Sequence, residues 1–141
     1  MQSYFDQLGG ERRLREIVNL FMDRVFSDRM IGFFFRDVDH RRIKEMEYQL
    51  AANFLGAGTE YQGRALKDAH ARHPIMGGHF ARRRQILKET LDFCDVPVEI
   101  KNAWLEHTDS LRPLVTSDAG SECDPMAARR KAEEGAAQKR I

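Results

Sequence analysis

Much of what this chain can be follows from what it lacks. Its two cysteines, Cys94 and Cys123, form no CxxC or CxxCH pairing, which excludes a zinc knuckle and haem attached through cysteine. No run alternates apolar and polar residues long enough to make a strand, so the chain is expected to be all-α. No apolar run approaches a membrane span, and no membrane association is expected. The opening MQSYFDQLGG has no apolar stretch behind a basic one, so it is not read as a signal peptide and a cytoplasmic protein is expected. Charge of one sign is also missing. Charged residues make up 32% of the chain but leave a formal net charge of +1, which argues against a nucleic-acid partner. The basic runs Arg12-Arg13, Arg41-Arg42, Arg82-Arg83-Arg84 and Arg129-Arg130-Lys131 read as solvated helix faces. There is no internal repeat, no flavin or nicotinamide motif and no HExxH pair.

What is present is a set of helical stripes in 141 residues, 42% of them apolar, enough for one domain with a core of its own. Between Glu11 and Ser27, the residues Leu14, Ile17, Val18, Phe21 and Val25 keep a 3.6-residue period, and Met22 widens the stripe. Phe33, Phe34 and Phe35 cannot share one helix face. They predict a tight corner with Phe33 as core filling and another ring free to wall a pocket. Asp39 is a suitable N-cap for a helix running to about Leu55, with Ile43, Met46, Glu47, Leu50, Ala51 and Phe54 facing inward. Glu47 is anomalous on that stripe, because a carboxylate there must find a partner, take a proton or reach water. Gly56-Ala57-Gly58 ends the helix.

A stub from about Arg64 to Arg72 then carries His70, stopped by the bias that Pro74 imposes on His73. One histidine on a stub, facing a longer apolar helix upstream, can serve as an axial ligand to a flat cofactor, although a satisfied polar residue is the plainer reading. Further helices are expected from about His79 to Phe93, carrying Phe80, Ile86, Leu87, Thr90 and Leu91, and after Pro97, carrying Ile100, Trp104, His107, Leu111 and Leu114. Two parts are expected: a helical domain over 1–116, and a charged tail over 117–141 that is disordered or transiently helical because it has few bulky apolar residues.

The segments YFDQLGG, FFFRDVD, FLGAGTEYQGRALKDAHARHPIMGGHF and DVPVEI, in this order, resemble the truncated (two-over-two) haemoglobins, group I in particular. The likeness spans about residues 3 to 115. It implies two helices packed across two, enclosing haem b (iron protoporphyrin IX). By the same resemblance His70 matches the proximal iron ligand, Phe35 the corner phenylalanine on the haem and Phe80 a proximal-side phenylalanine. Ile43, Met46 and Glu47 fall at distal-helix positions. The distal side departs from the family pattern, since Met22 stands where a tyrosine is usual and none of these four is a strong neutral donor. An ionised Glu47 would repel bound dioxygen; a protonated one would donate to it. Met46 is a candidate sixth ligand to iron opposite His70, although filling an apolar pocket is the plainer role for its thioether. Arg42, Lys44, Arg64, Lys67 and Arg72 fall near the expected haem rim.

The resemblance implies diatomic gas ligands, with oxygen or nitric oxide handling, redox or sensing as the task, in a monomer or weak dimer. A catalytic version is nitric oxide dioxygenation, which yields nitrate and needs a separate reductase. Two other readings stand beside it. One is a non-haem metal enzyme using His70, His73, His79 and Glu47. The other is a cofactor-free helical module that docks a partner through its tail.

Overall fold

The computed structural model describes residues 2–58 and 76–116. The His70 stub and the tail expected over 117–141 lie outside the described residues. Among the described residues all regular structure is helical: α1 (Tyr4–Leu8), α2 (Gly10–Ser27), a 3-10 turn (Gly32–Phe35), α3 (His40–Leu55), α4 (Gly77–Phe93), α5 (Val98–Ser110) and α6 (Arg112–Val115). None of these helices is long and apolar enough to cross a membrane.

Helix α2 is the centre of the packing and touches α1, α3, α4 and the 3-10 turn. It buries the face that its periodicity predicts: Leu14, Ile17, Val18, Phe21, Met22 and Val25. Its start is set by Gly9, whose φ of 110° closes α1 in the left-handed region and lets α2 leave in a new direction. Helix α4 contributes Ile86, Leu87 and Leu91 to the same core, and α5 contributes Ile100, Trp104 and Leu105. The Tyr4 hydroxyl donates to Glu99 Oε1 at 3.0 Å, tying α1 to α5.

The corner after α2 is built by Asp28. Its Oδ1 accepts the backbone N–H of Met30 at 2.9 Å and of Ile31 at 3.1 Å. Its Oδ2 accepts Arg82 Nε at 2.9 Å and Nη2 at 2.7 Å, so one carboxylate joins the corner to α4. The chain then passes close to the end of α2. A Cβ on Gly32 would stand 2.6 Å from the Phe26 carbonyl oxygen, which reserves this position for glycine. Asp39 caps α3 as expected, its Oδ1 accepting the N–H of Arg41 at 3.0 Å and of Arg42 at 3.3 Å. Gly56, at φ 93°, ends it.

Several expectations need correction. Phe33 is not core filling: it is 47% exposed and stacks on Phe34, with ring centroids 4.1 Å apart. Helix α4 begins at Gly77 rather than His79, with the Met76 N–H donating to His79 Nδ1 at 3.2 Å. The last stripe does not run through one helix. Helix α5 ends at Ser110, a separate turn α6 carries Pro113 near its start, and Leu114 is exposed. The arginine run 82–84 is not a free solvated face. Arg82 pairs with Asp28, Arg83 with Glu47 and Arg84 with Asp109.

Candidate functional site

The inward stripe expected for α3 is not the face it buries in the core. The buried residues are Tyr48, Ala51, Ala52 and Leu55. Only Ala51 belongs to both sets. Tyr48 is covered by the Arg15 guanidinium, 3.8 Å from its ring centroid, which lets a phenol sit on the core face. Ile43, Met46, Glu47, Leu50 and Phe54 are half-buried along the adjoining side of the helix. Ile43 and Phe54 lean on the main core; Met46 and Leu50 are not among the residues packed against it. Helix α3 thus carries a second apolar face besides the one that packs on α2.

Glu47 sits on that second face and has found a partner. Its Oε1 accepts Arg83 Nη2 at 2.8 Å, with side-chain exposures of 16% and 26% for the two residues. The Arg83 guanidinium carbon also lies 4.9 Å from the Phe21 ring centroid, so the cation is held by a carboxylate from α3 and an aromatic face from α2. Of the outcomes open to Glu47, pairing is the one realised. Arg83 was hidden from sequence reading inside a run of three arginines. The signal that could have found it is its position one turn beyond Phe80 on α4.

Phe80 is buried yet stands outside the main core cluster. Its ring lies 5.7 Å from the Arg112 guanidinium carbon. Nearby on α5, His107 stacks face to face on Phe54, with centroids 4.0 Å apart and planes 5° from parallel. Burial lowers the His107 pKa below the ordinary histidine value, and the Glu47 charge opposes part of that effect. His107 Nε2 and Arg112 Nη2 are both buried without a hydrogen-bond partner among the described residues.

Phe35 is half-buried at the corner. It meets Phe26 edge-to-face at 5.3 Å, and Phe26 stacks on His40 at 3.9 Å. His40 Nε2 reaches back to the Phe35 carbonyl at 2.7 Å and locks the ring's backbone. Met22 is buried in the main core. Lys44, one of the expected rim cations, is committed to α2 through Asp23 and Asn19, both at 2.6 Å. The structure therefore joins Glu47, Arg83 and Phe21 at one point. Phe54 with His107 and Phe80 with Arg112 make two further contacts, and Phe35 stands at the corner. His70 and His73 lie outside the described residues. Glu47 and His79, the described members of the alternative metal set, are separately engaged: Glu47 with Arg83, His79 with Met76 and the edges of Phe33 and Phe34. No group of three metal-ligating side chains forms among the described residues.

The family model for bacterial-like globins matches residues 3–117. Among curated relatives, a group 1 truncated hemoglobin GlbN of Mycolicibacterium paratuberculosis is 29% identical over 119 residues, covering 84% of this chain and 88% of its own length. The GlbN of Synechocystis is 29% identical over 104 residues, covering 71% of this chain and 84% of its own. Among solved structures, the Fe(III) form of truncated hemoglobin from Tetrahymena pyriformis superimposes with a TM-score of 0.77 at 23% identity, over 83% of this chain and all of that one. The 2/2 hemoglobin of Synechococcus, in the cyanomet state with covalently attached heme, gives 0.74 at 21% identity, over 78% of this chain and 93% of that one. With the helix order, the Asp28 corner and the second face of α3, these likenesses converge: the chain belongs to the bacterial-like globin family, has the two-over-two fold, and is a group I-like truncated haemoglobin.

Proposed function

We propose that this chain holds haem b between helix α3 and the His70 segment, and takes diatomic gases at iron on the face opposite His70. The family itself implies a haem cofactor and gas ligands. The finer assignment is supported by one observation above the others, the half-buried second face of α3. Ile43, Met46 and Leu50 are apolar there, and Glu47 is neutralised by Arg83. An apolar helix side left over after core packing suits a broad, flat, apolar group. The donors fit as well. Among the described residues Arg112 Nη2 and His107 Nε2 are buried without a partner, and a bound group with acceptor atoms at its edge would relieve them.

In this reading His70 is the iron ligand, and Phe35 and Phe80 are ring contacts. Ile43, Met46 and Glu47 line the gas side. Bound haem supplies the reversible sixth position. The chain supplies an apolar wall that excludes water and a compensated charge pair beside it. Met46 would offer its thioether as a further holder of the haem iron when no gas is bound. Nitric oxide removal with a separate reductase is the catalytic form of the same reading.

The test is reconstitution of the full chain with haem, recorded in ferric, ferrous and carbon monoxide forms. Stoichiometric uptake is expected, together with a spectrum that changes in His70→Ala. Colourless protein after reconstitution, or an unaltered spectrum in that variant, would sink the proposal. The catalytic form fails separately if the oxygenated protein consumes nitric oxide no faster than free haem does.

A further inference from the structure

Resting on the haem reading above, we infer that Arg83, anchored by Glu47, is the hydrogen-bond donor of the gas side and gives it a preference for small anions over neutral ligands.

The argument starts from what the other residues there cannot do. Ile43 and Met46 offer no N–H or O–H to a ligand. Glu47 is a carboxylate, and alone it would repel any ligand carrying negative charge. Arg83 changes this, because its Nη2 satisfies Glu47 at 2.8 Å. A guanidinium has five N–H donors, and only Nη2 is engaged among the described residues. No other described residue takes its remaining N–H groups.

The guanidinium is also fixed rather than free to swing. Glu47 accepts from Nη2, and the Phe21 ring centroid lies 4.9 Å from the guanidinium carbon. A donor held in place before the ligand arrives loses little freedom on binding. Hydrogen bonds from a cation to an anion are among the stronger ones, and partial burial reduces screening. The pair is neutral overall, so the pocket need not bury a bare charge. Among the described residues Glu47 also acts on His107, whose pKa burial lowers and the Glu47 charge raises in part.

The ligands that benefit are those with negative charge on the atom beside iron: fluoride, azide, nitrite, and to a lesser extent dioxygen as it gains negative character. Carbon monoxide gains little. A purely apolar wall would order these ligands differently, since it has nothing to offer an anion.

The experiment uses the haem-reconstituted full chain. Fluoride dissociation constants of the ferric form and carbon monoxide affinities of the ferrous form are measured by absorbance for wild type, Arg83→Met and Arg83→Lys. Arg83→Met is expected to raise the fluoride constant about tenfold or more, as loss of a charge-assisted hydrogen bond would, with carbon monoxide affinity changed by less than about threefold. Arg83→Lys is expected to recover part of the fluoride affinity. Equal fluoride constants in wild type and Arg83→Met, with normal haem uptake, would overturn this inference and leave the haem reading standing. Parallel loss of fluoride and carbon monoxide binding would also overturn it, because Arg83 would then be only structural. Failure of the wild type to take up haem removes both together.

A readout without haem accompanies these. In the haem-free chain, thermal melting of Glu47→Gln, Arg83→Met and the double variant is expected to show non-additive losses. Additive losses would overturn the anchoring by Glu47.

Discussion

Replacing Asp28 should weaken the fold more than any other single change to a partly solvated carboxylate. The side chain is only 8% exposed and accepts four hydrogen bonds, two from the backbone of the corner and two from Arg82. Asp28→Ala would leave the Ile31 N–H, which is partly buried, without an acceptor. Hydrogen bonds to charged groups contribute about 1.5–3 kcal/mol each in favourable cases. A simple sum overstates the loss here, since Arg82 is 40% exposed and water can replace its partner. A net loss of about 2–3 kcal/mol is expected for Asp28→Ala, and about half of that for Asp28→Asn, which keeps one acceptor oxygen for the corner. At about 4 °C per kcal/mol for a domain of this size, the alanine variant should melt on the order of 10 °C lower.

The same contacts set a pH dependence. The Arg82 guanidinium, with the Met30 and Ile31 N–H groups, holds the Asp28 carboxyl below the usual carboxylate range. Its folded pKa is depressed, so the unfolded chain binds the proton first on acidification. The stabilisation is complete above the ordinary aspartate value of about 4 and is lost as pH falls through that value toward the folded one. Urea unfolding of the haem-free chain between pH 3 and 7 measures both effects. Asp28→Asn should flatten the acid limb in part; Glu45, also held low by Arg15, keeps the remainder. A wild-type urea midpoint and an unchanged acid limb in Asp28→Asn would refute the reasoning.

Gly32→Ala should cost about 1–3 kcal/mol, because the new methyl must push the Phe26 carbonyl away; a melting temperature equal to wild type would show that the corner yields freely. His107 has a folded pKa lowered by burial, so stability should fall as pH drops below about 6.5; His107→Phe should flatten that window in thermal melts, and an identical slope in both chains would count against it. Met46→Ala should abolish a sulfur-to-iron charge-transfer band in the ferric haem protein; a high-spin aquo spectrum in wild type would mean that Met46 only lines the wall.

The α2 stripe was legible in the sequence because Leu14, Ile17, Val18, Phe21 and Val25 leave no rival face on that helix. The caps at Asp39 and Gly56 were legible because their chemistry is local. Helix α3 was read one face off, since it carries two apolar sides. The side with larger aliphatic residues, Ile43, Met46 and Leu50, drew attention away from the one built on Ala51, Ala52 and Leu55. Small residues that let helices approach closely carry a weak hydrophobic signal. Tyr48 on the core face depends on Arg15 from another helix, which no local pattern announces. Glu47 was correctly marked as anomalous, but its partner stands 36 positions away in a segment whose charges looked solvated. Phe33 was misjudged because three consecutive rings at a turn must include one that points outward.

The three consecutive arginines of α4 reach Asp28 at the end of α2, Glu47 on α3 and Asp109 on α5. Successive helix residues are about 100° apart, so these three fan across roughly 200° of the helix circumference. The ion pairs therefore clock α4 about its own axis. Rotating the helix by one residue position would mismatch all three at once, whereas a sideways shift could preserve one or two. A neighbouring helix that slides is then tolerated more easily than an insertion inside α4, and the angular setting of Phe80 and Arg83 is guarded by the Arg82 and Arg84 pairs on either side of Arg83.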